Sequence, residues 1–87
     1  MSETREARLK RMRIRSWRRG IKEMDLILGG HADRELAGMD DEALALFEPV
    51  LGEADHDLYA WVTGREAPPE RYAPLMARLA SEATIPR

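Results

Sequence analysis

A chain of 87 residues is the size of one small domain, with a thin core and a stability of roughly 3–5 kcal/mol. It contains no cysteine, which excludes disulfides, thiolate metal sites and cysteine nucleophiles. The formal net charge of −2 conceals a strong asymmetry, because residues 1–22 carry net +7 and residues 23–87 net −9, so a basic face that meets something anionic is implied.

Apolar residues recur at helical spacing and no segment alternates for long, which predicts an all-α domain. A first helix is predicted from about Thr4 to Arg18, with Leu9, Met12 and either Ser16 or Trp17 inward and arginine over much of the rest. Gly20 interrupts or ends it. A second helix spans about Ile21 to Arg34 with Met24, Ile27, Leu28 and His31 inward, its second half weakened by Gly29-Gly30. Asp40 or Asp41 can cap a third helix whose stripe is Leu44, Phe47, Val50 and Leu51. Pro49 should end or kink it near Phe47.

The stretch GEADHDLYAWVTG reads as a short fourth helix. Asp55 is its expected cap, Leu58, Trp61 and Val62 its buried face, and Gly64 its stop. In PPERYAPLMARLASEA, residues Tyr72, Leu75, Met76, Leu79, Ala80 and Ala83 form an amphipathic face, with the regular helix starting near Pro74. The sum is one domain over residues 1–87, a compact bundle of about five short helices, with residues 1–4 and 84–87 frayed.

Catalysis finds little support. His31 lies in the apolar stripe of the second helix. Asp55-His56-Asp57 places successive side chains about 100° apart on a helix, so they do not converge on a metal. Asp40-Asp41-Glu42 lacks the alternation and glycine of a calcium loop. No phosphate-loop or dinucleotide glycine pattern occurs. The segment RLKRMRIRSWRRGIK admits three readings: a solvated basic helix, a nucleic-acid contact with Trp17 stacking, or a basic patch for an acidic protein surface. Gly20 removes a side chain where the backbone turns or where another molecule comes close. Arg19 and Glu23, four apart, either pair with each other or both reach outward.

At this point WRRGIKEMDLIL resembles a known family. Arg19-Gly20-x-x-Glu23 is the RGxxE motif of the succinate dehydrogenase flavinylation factors (the SdhE, or YgfY-like, family), and Met24-Asp25 resembles its apolar-Asp pair. DDEALALFEPVL is similar to the family's acidic-start helix with a central Phe, here Phe47. Asp55, Asp57, Leu58, Tyr59 and Trp61 resemble its Asp-x-Asp-Leu-aromatic-x-Trp stretch. The resemblance runs from about Leu9 to Met76. Two positions depart: His31 stands where the family commonly has an aromatic, and Pro49 is less expected.

The resemblance implies a YgfY-like five-helix bundle with no catalytic activity and no cofactor of its own. It implies a monomeric assembly factor that binds the flavoprotein subunit of succinate dehydrogenase, or of fumarate reductase, and promotes covalent attachment of FAD to a histidine of that partner. Gly20 would let the backbone approach the partner, with Arg19 and Glu23 fixing register, Met24 beside them, and Arg11, Arg15 and Arg18 steering toward an acidic rim. Leu58 and Trp61 belong to the core, and truncating Trp61 should cost ~3–5 kcal/mol. The alternative is a small basic-faced nucleic-acid-binding regulator, whose affinity would fall steeply with salt. No apolar run approaches the ~20 residues of a membrane span and no secretory h-region follows the basic start. Glu3 and Glu6 argue against a transit peptide, so a bacterial cytoplasm is expected ahead of a mitochondrial matrix.

Overall fold

A computed structural model describes residues 3–83. Five α-helices occur in it: α1 Arg5–Trp17, α2 Lys22–Glu35, α3 Asp41–Phe47, α4 Asp55–Thr63 and α5 Ala73–Glu82. Short 3₁₀ segments at Leu36–Gly38, Glu48–Gly52 and Glu70–Tyr72 join them, and no strand occurs among the described residues. The Thr4 hydroxyl caps α1 by accepting from the Ala7 N–H at 3.1 Å, and Glu3 pairs with Arg11. Residues 84–87 lie outside the described chain.

The chain turns where local chemistry requires it. The Asp40 carboxylate caps α3 by accepting from the Ala43 N–H at 2.8 Å. Pro49 ends α3 at Phe47, and the backbone tightens into the 3₁₀ segment that contains it. Gly64 closes α4 in the left-handed region, at φ 82°, which only glycine adopts without penalty. Tyr72 ends a 3₁₀ turn before α5, so the regular helix starts beside Pro74. The cap of α4 differs from expectation: Ala54 occupies it without a side-chain bond, and Asp55 is the first helical residue. Its carboxylate is engaged elsewhere, as described below.

The core forms where the helical stripes meet. Met12, Met24, Leu28, Leu36, Leu44, Phe47, Val50, Leu58, Met76 and Leu79 are buried together. α1 and α2 form an antiparallel hairpin with the largest interface, and α4 and α5 close the other side. Ser16 turns inward and satisfies its hydroxyl on the Met12 carbonyl at 2.8 Å. Trp17 stays 38% exposed, its indole lying against Gly29 and its Nε1–H donating to Asp33 at 3.2 Å. Gly29 is therefore the seat of an aromatic ring.

Trp61 is half-buried and packs on Tyr72 with ring centroids 6.0 Å apart, at the core's margin. His31, the departure from the family pattern, is buried against Phe47 with its Nδ1 2.7 Å from Glu82. It acts as the apolar-stripe residue its position suggested, with one polar tie.

Candidate functional site: the turn between the first two helices

Residues 18–21 link α1 to α2 outside the regular helices. α1 stops at Trp17 because Arg18, at φ −113° and ψ 65°, leaves the helical region. Ile21 starts α2 with its carbonyl accepting from the N–H groups of Met24 and Asp25 at 3.1 and 3.2 Å. The first turn of α2 carries Glu23 and Asp25, both favourable at the positive end of the helix dipole.

What holds this turn is a set of charge-assisted bonds to the far side of the bundle. The Arg19 guanidinium reaches across to the stretch between the 3₁₀ segment and α4. Nε donates to Asp55 Oδ1, Nη1 to the Leu51 carbonyl and Nη2 to the Glu53 carbonyl, each at 2.8 Å. The Gly20 N–H donates to Asp55 Oδ2, and the Arg19 N–H donates to Asp25 Oδ1 at 2.5 Å. Glu53 in turn accepts from the Tyr72 hydroxyl at 2.9 Å. A Cβ on Gly20 would sit 2.7 Å from Asp55 Oδ2. A larger residue there would have to displace a carboxylate that Arg19 also holds.

This geometry corrects several expectations. Arg19 does not pair with Glu23 and does not point outward: its side chain is 9% exposed and every guanidinium nitrogen has an internal acceptor. Met24 is fully buried in the core and presents no surface. Arg11 binds Glu3 at 2.9 Å and Glu48 at 2.6 Å. Arg15 donates to the Leu51 carbonyl at 3.1 Å. Arg8 joins Arg11 on Glu48, and the Arg11 hydrogen bond, with Arg8 beside it, holds that carboxyl below its ordinary range. One face of α1 is therefore an internal cross-link to the segment after α3, because arginines three and four apart meet a carboxylate and carbonyls placed opposite.

Exposed around the turn are Arg18, Gly20, Lys22 and Glu23, with Leu26 one helical turn beyond Glu23. Among the described residues Glu23 takes part in no ion pair or side-chain hydrogen bond. Trp17 and Leu26, at 38% and 57% exposure, border this surface with apolar area. Arg18, Gly20 and Glu23 of the expected contact thus remain exposed at or beside the turn. Asp55 and Asp25 are the participants the sequence reading missed as such; the acid-rich start of α4 was visible, but its pairing with a residue 36 positions earlier was not.

On the opposite side, an open cleft of about 420 Å³ lies between α2, α3 and α5, lined by His31, Arg34, Leu46, Phe47 and Arg78 among others. Its His31, Arg34 and Arg78 side chains pair with Glu82, and Arg78 also with Glu35. Burial pushes the Glu82 carboxyl up, but hydrogen bonds from Arg78, His31 and Arg34 outweigh this and hold it down to about 2. Among the described residues no group of His, Asp or Glu is arranged to hold a metal ion, and no helix of the described chain is long and apolar enough to cross a membrane.

The sequence matches the family model described as flavinator of succinate dehydrogenase over residues 10–83. It is 38% identical over 72 residues to succinate dehydrogenase assembly factor 2, mitochondrial, of Mycosarcoma maydis, covering 83% of this chain and 30% of that one. The protein of the same name from Schizosaccharomyces japonicus is 39% identical over 70 residues, covering 80% and 49%. That from Arabidopsis thaliana is 34% identical over 68 residues, covering 78% and 36%. The chain spans about a third to a half of the length of these curated relatives. The expectation of a bacterial cytoplasm is overturned by these findings, since the relatives are named as mitochondrial. A match over most of its length places this chain in the family of succinate dehydrogenase flavinators.

Proposed function

We propose that the protein is an assembly factor that binds the flavoprotein subunit of succinate dehydrogenase and promotes covalent attachment of FAD to it. Membership of the flavinator family and the names of the relatives support the client. The single structural observation that carries the contact is the 18–23 turn. It is fastened from inside by Arg19, and it leaves Gly20, Arg18 and Glu23 exposed beside an apolar margin.

The chain supplies no catalytic group in this reading. The flavin and the partner carry the chemistry, and the factor contributes by holding the partner so that flavin and acceptor histidine are aligned. Arg18 and Lys22, exposed at the turn, favour approach to an acidic rim and govern on-rate and salt dependence more than final affinity. The factor acts as a monomer, and the fumarate reductase flavoprotein is a second client of the same chemistry. A nucleic-acid partner is disfavoured, because Arg8, Arg11, Arg15 and Arg19 are committed to internal acceptors.

The test is covalent flavin on the flavoprotein subunit in cells lacking this protein, read as fluorescence on a denaturing gel. A lost band restored by the wild-type chain is the expected result. An unchanged band would contradict the proposal.

A further inference from the structure

The Arg19-Gly20 link between α1 and α2 lies outside regular helix, yet its geometry is fixed. Two carboxylates from outside the turn do this. Asp55, at the start of α4, accepts from the Arg19 side chain with one oxygen and from the Gly20 backbone with the other. Asp25, in the first turn of α2, accepts from the Arg19 backbone at 2.5 Å. The remaining Arg19 nitrogens bind the Leu51 and Glu53 carbonyls, so the guanidinium also secures the end of the 3₁₀ segment to which Asp55 is attached. A carboxylate that holds two consecutive residues, one by side chain and one by backbone, restricts both the rotamer of Arg19 and the path of the chain at Gly20.

We propose that Asp55 is a positioning residue for the flavoprotein contact: it clamps the Arg19-Gly20 turn from within, so that Glu23 and the bare Gly20 surface meet the partner preformed, while Arg19 acts through the clamp and not on the partner. This rests on the function proposed above. In the free protein the Arg19 side chain is 9% exposed and the Asp55 side chain 17%, whereas Glu23 is exposed. The two halves of the motif therefore have different duties. A surface already in its bound shape loses less conformational freedom on association, so releasing the clamp should weaken binding without removing any contact atom.

The test is a double-mutant cycle on the equilibrium dissociation constant for the purified succinate dehydrogenase flavoprotein subunit. It compares wild type, Asp55→Ala, Glu23→Ala and the double variant, each shown to be helical by circular dichroism at the binding temperature. Asp55→Ala is expected to raise Kd about tenfold in the wild-type background, and by less than about threefold once Glu23 is already truncated. A role in fold stability alone would leave the Kd of the folded variant unchanged, and a direct contact independent of Glu23 would give equal losses in both backgrounds; either result overturns the proposal. Should Asp55→Ala not fold, Asp55→Asn retains one acceptor and runs in the same cycle, with a smaller loss but the same non-additivity expected. A wild-type protein that does not bind the flavoprotein removes the function itself and the inference with it, whereas wild-type binding with additive losses removes only the inference.

Discussion

Arg19 shows how a residue can be recognised by sequence and its direction still be missed. The spacing to Glu23 suggested an outward pair or a local one. The side chain instead crosses the bundle, because three acceptors at Leu51, Glu53 and Asp55 offer charge-assisted bonds away from water. Nothing local in RRGIKE encodes acceptors more than thirty positions away.

Two other residues yield direct tests. Gly29 looked like a weak point in α2, since glycine in a helix interior normally costs about 1 kcal/mol against alanine. A Cβ there would lie between 2.2 and 2.7 Å from the Trp17 ring, so Gly29→Ala should destabilise by ~1–3 kcal/mol in urea unfolding. In a Trp17→Ala background the same change should become stabilising. The second is Glu82, whose folded carboxyl lies near 2 against an ordinary value of 4.5. A depressed folded value means stability that is present above the unfolded value and is lost as pH falls from about 4.5 toward 2. Because Arg34 and Arg78 are largely exposed, the loss should be only about 1–2 kcal/mol. Thermal melts across that window should fall more steeply for wild type than for Glu82→Gln. Parallel slopes would remove the role of the His31, Arg34 and Arg78 ties.

Helices were legible at the scale of elements because their punctuation is local. Thr4, Asp40, Pro49, Gly64 and Pro74 each act within a few residues, and the observed boundaries follow them closely. The buried stripes of α2 and of the α3 region also followed from period alone. The exception at α4 has a physical cause: Asp55 had the chemistry of a cap, but binding Arg19 and Gly20 won the carboxylate, and Ala54 was left at the helix start. Periodicity also overstated Trp61. It lies on the inward side of α4 but at the edge of the core, whereas Leu58 is fully buried. Leu58→Ala should therefore cost ~2–5 kcal/mol, enough to unfold a domain of this size, while Trp61→Ala should fall below the ~3–5 kcal/mol expected of a fully buried tryptophan. Chemical denaturation of the two variants checks the order; a larger loss at Trp61 would contradict this assignment.

For the whole molecule, the charge asymmetry was correctly visible, but its use was not. A basic first helix facing an acidic remainder reads as a surface waiting for a partner. In the structure Arg8, Arg11, Arg15 and Arg19 bind the stretch from Glu48 to Asp55, so much of the asymmetry is internal complementarity. What remains outward is a smaller basic surface that includes Lys10, Arg13, Arg18 and Lys22, with Gly20 and Glu23 exposed at the turn. The site was legible as a motif, through resemblance and not through composition, and its interior support became visible only with the fold. Whether the exposed Glu23 surface works on the partner is read from covalent flavin formed on the purified flavoprotein subunit, supplied with FAD and either the wild-type factor or Glu23→Ala, both with native helicity and melting. Strong stimulation by wild type and at least a tenfold lower rate with Glu23→Ala are expected; equal rates with the two proteins would contradict this role of Glu23 and place the working surface elsewhere on the bundle.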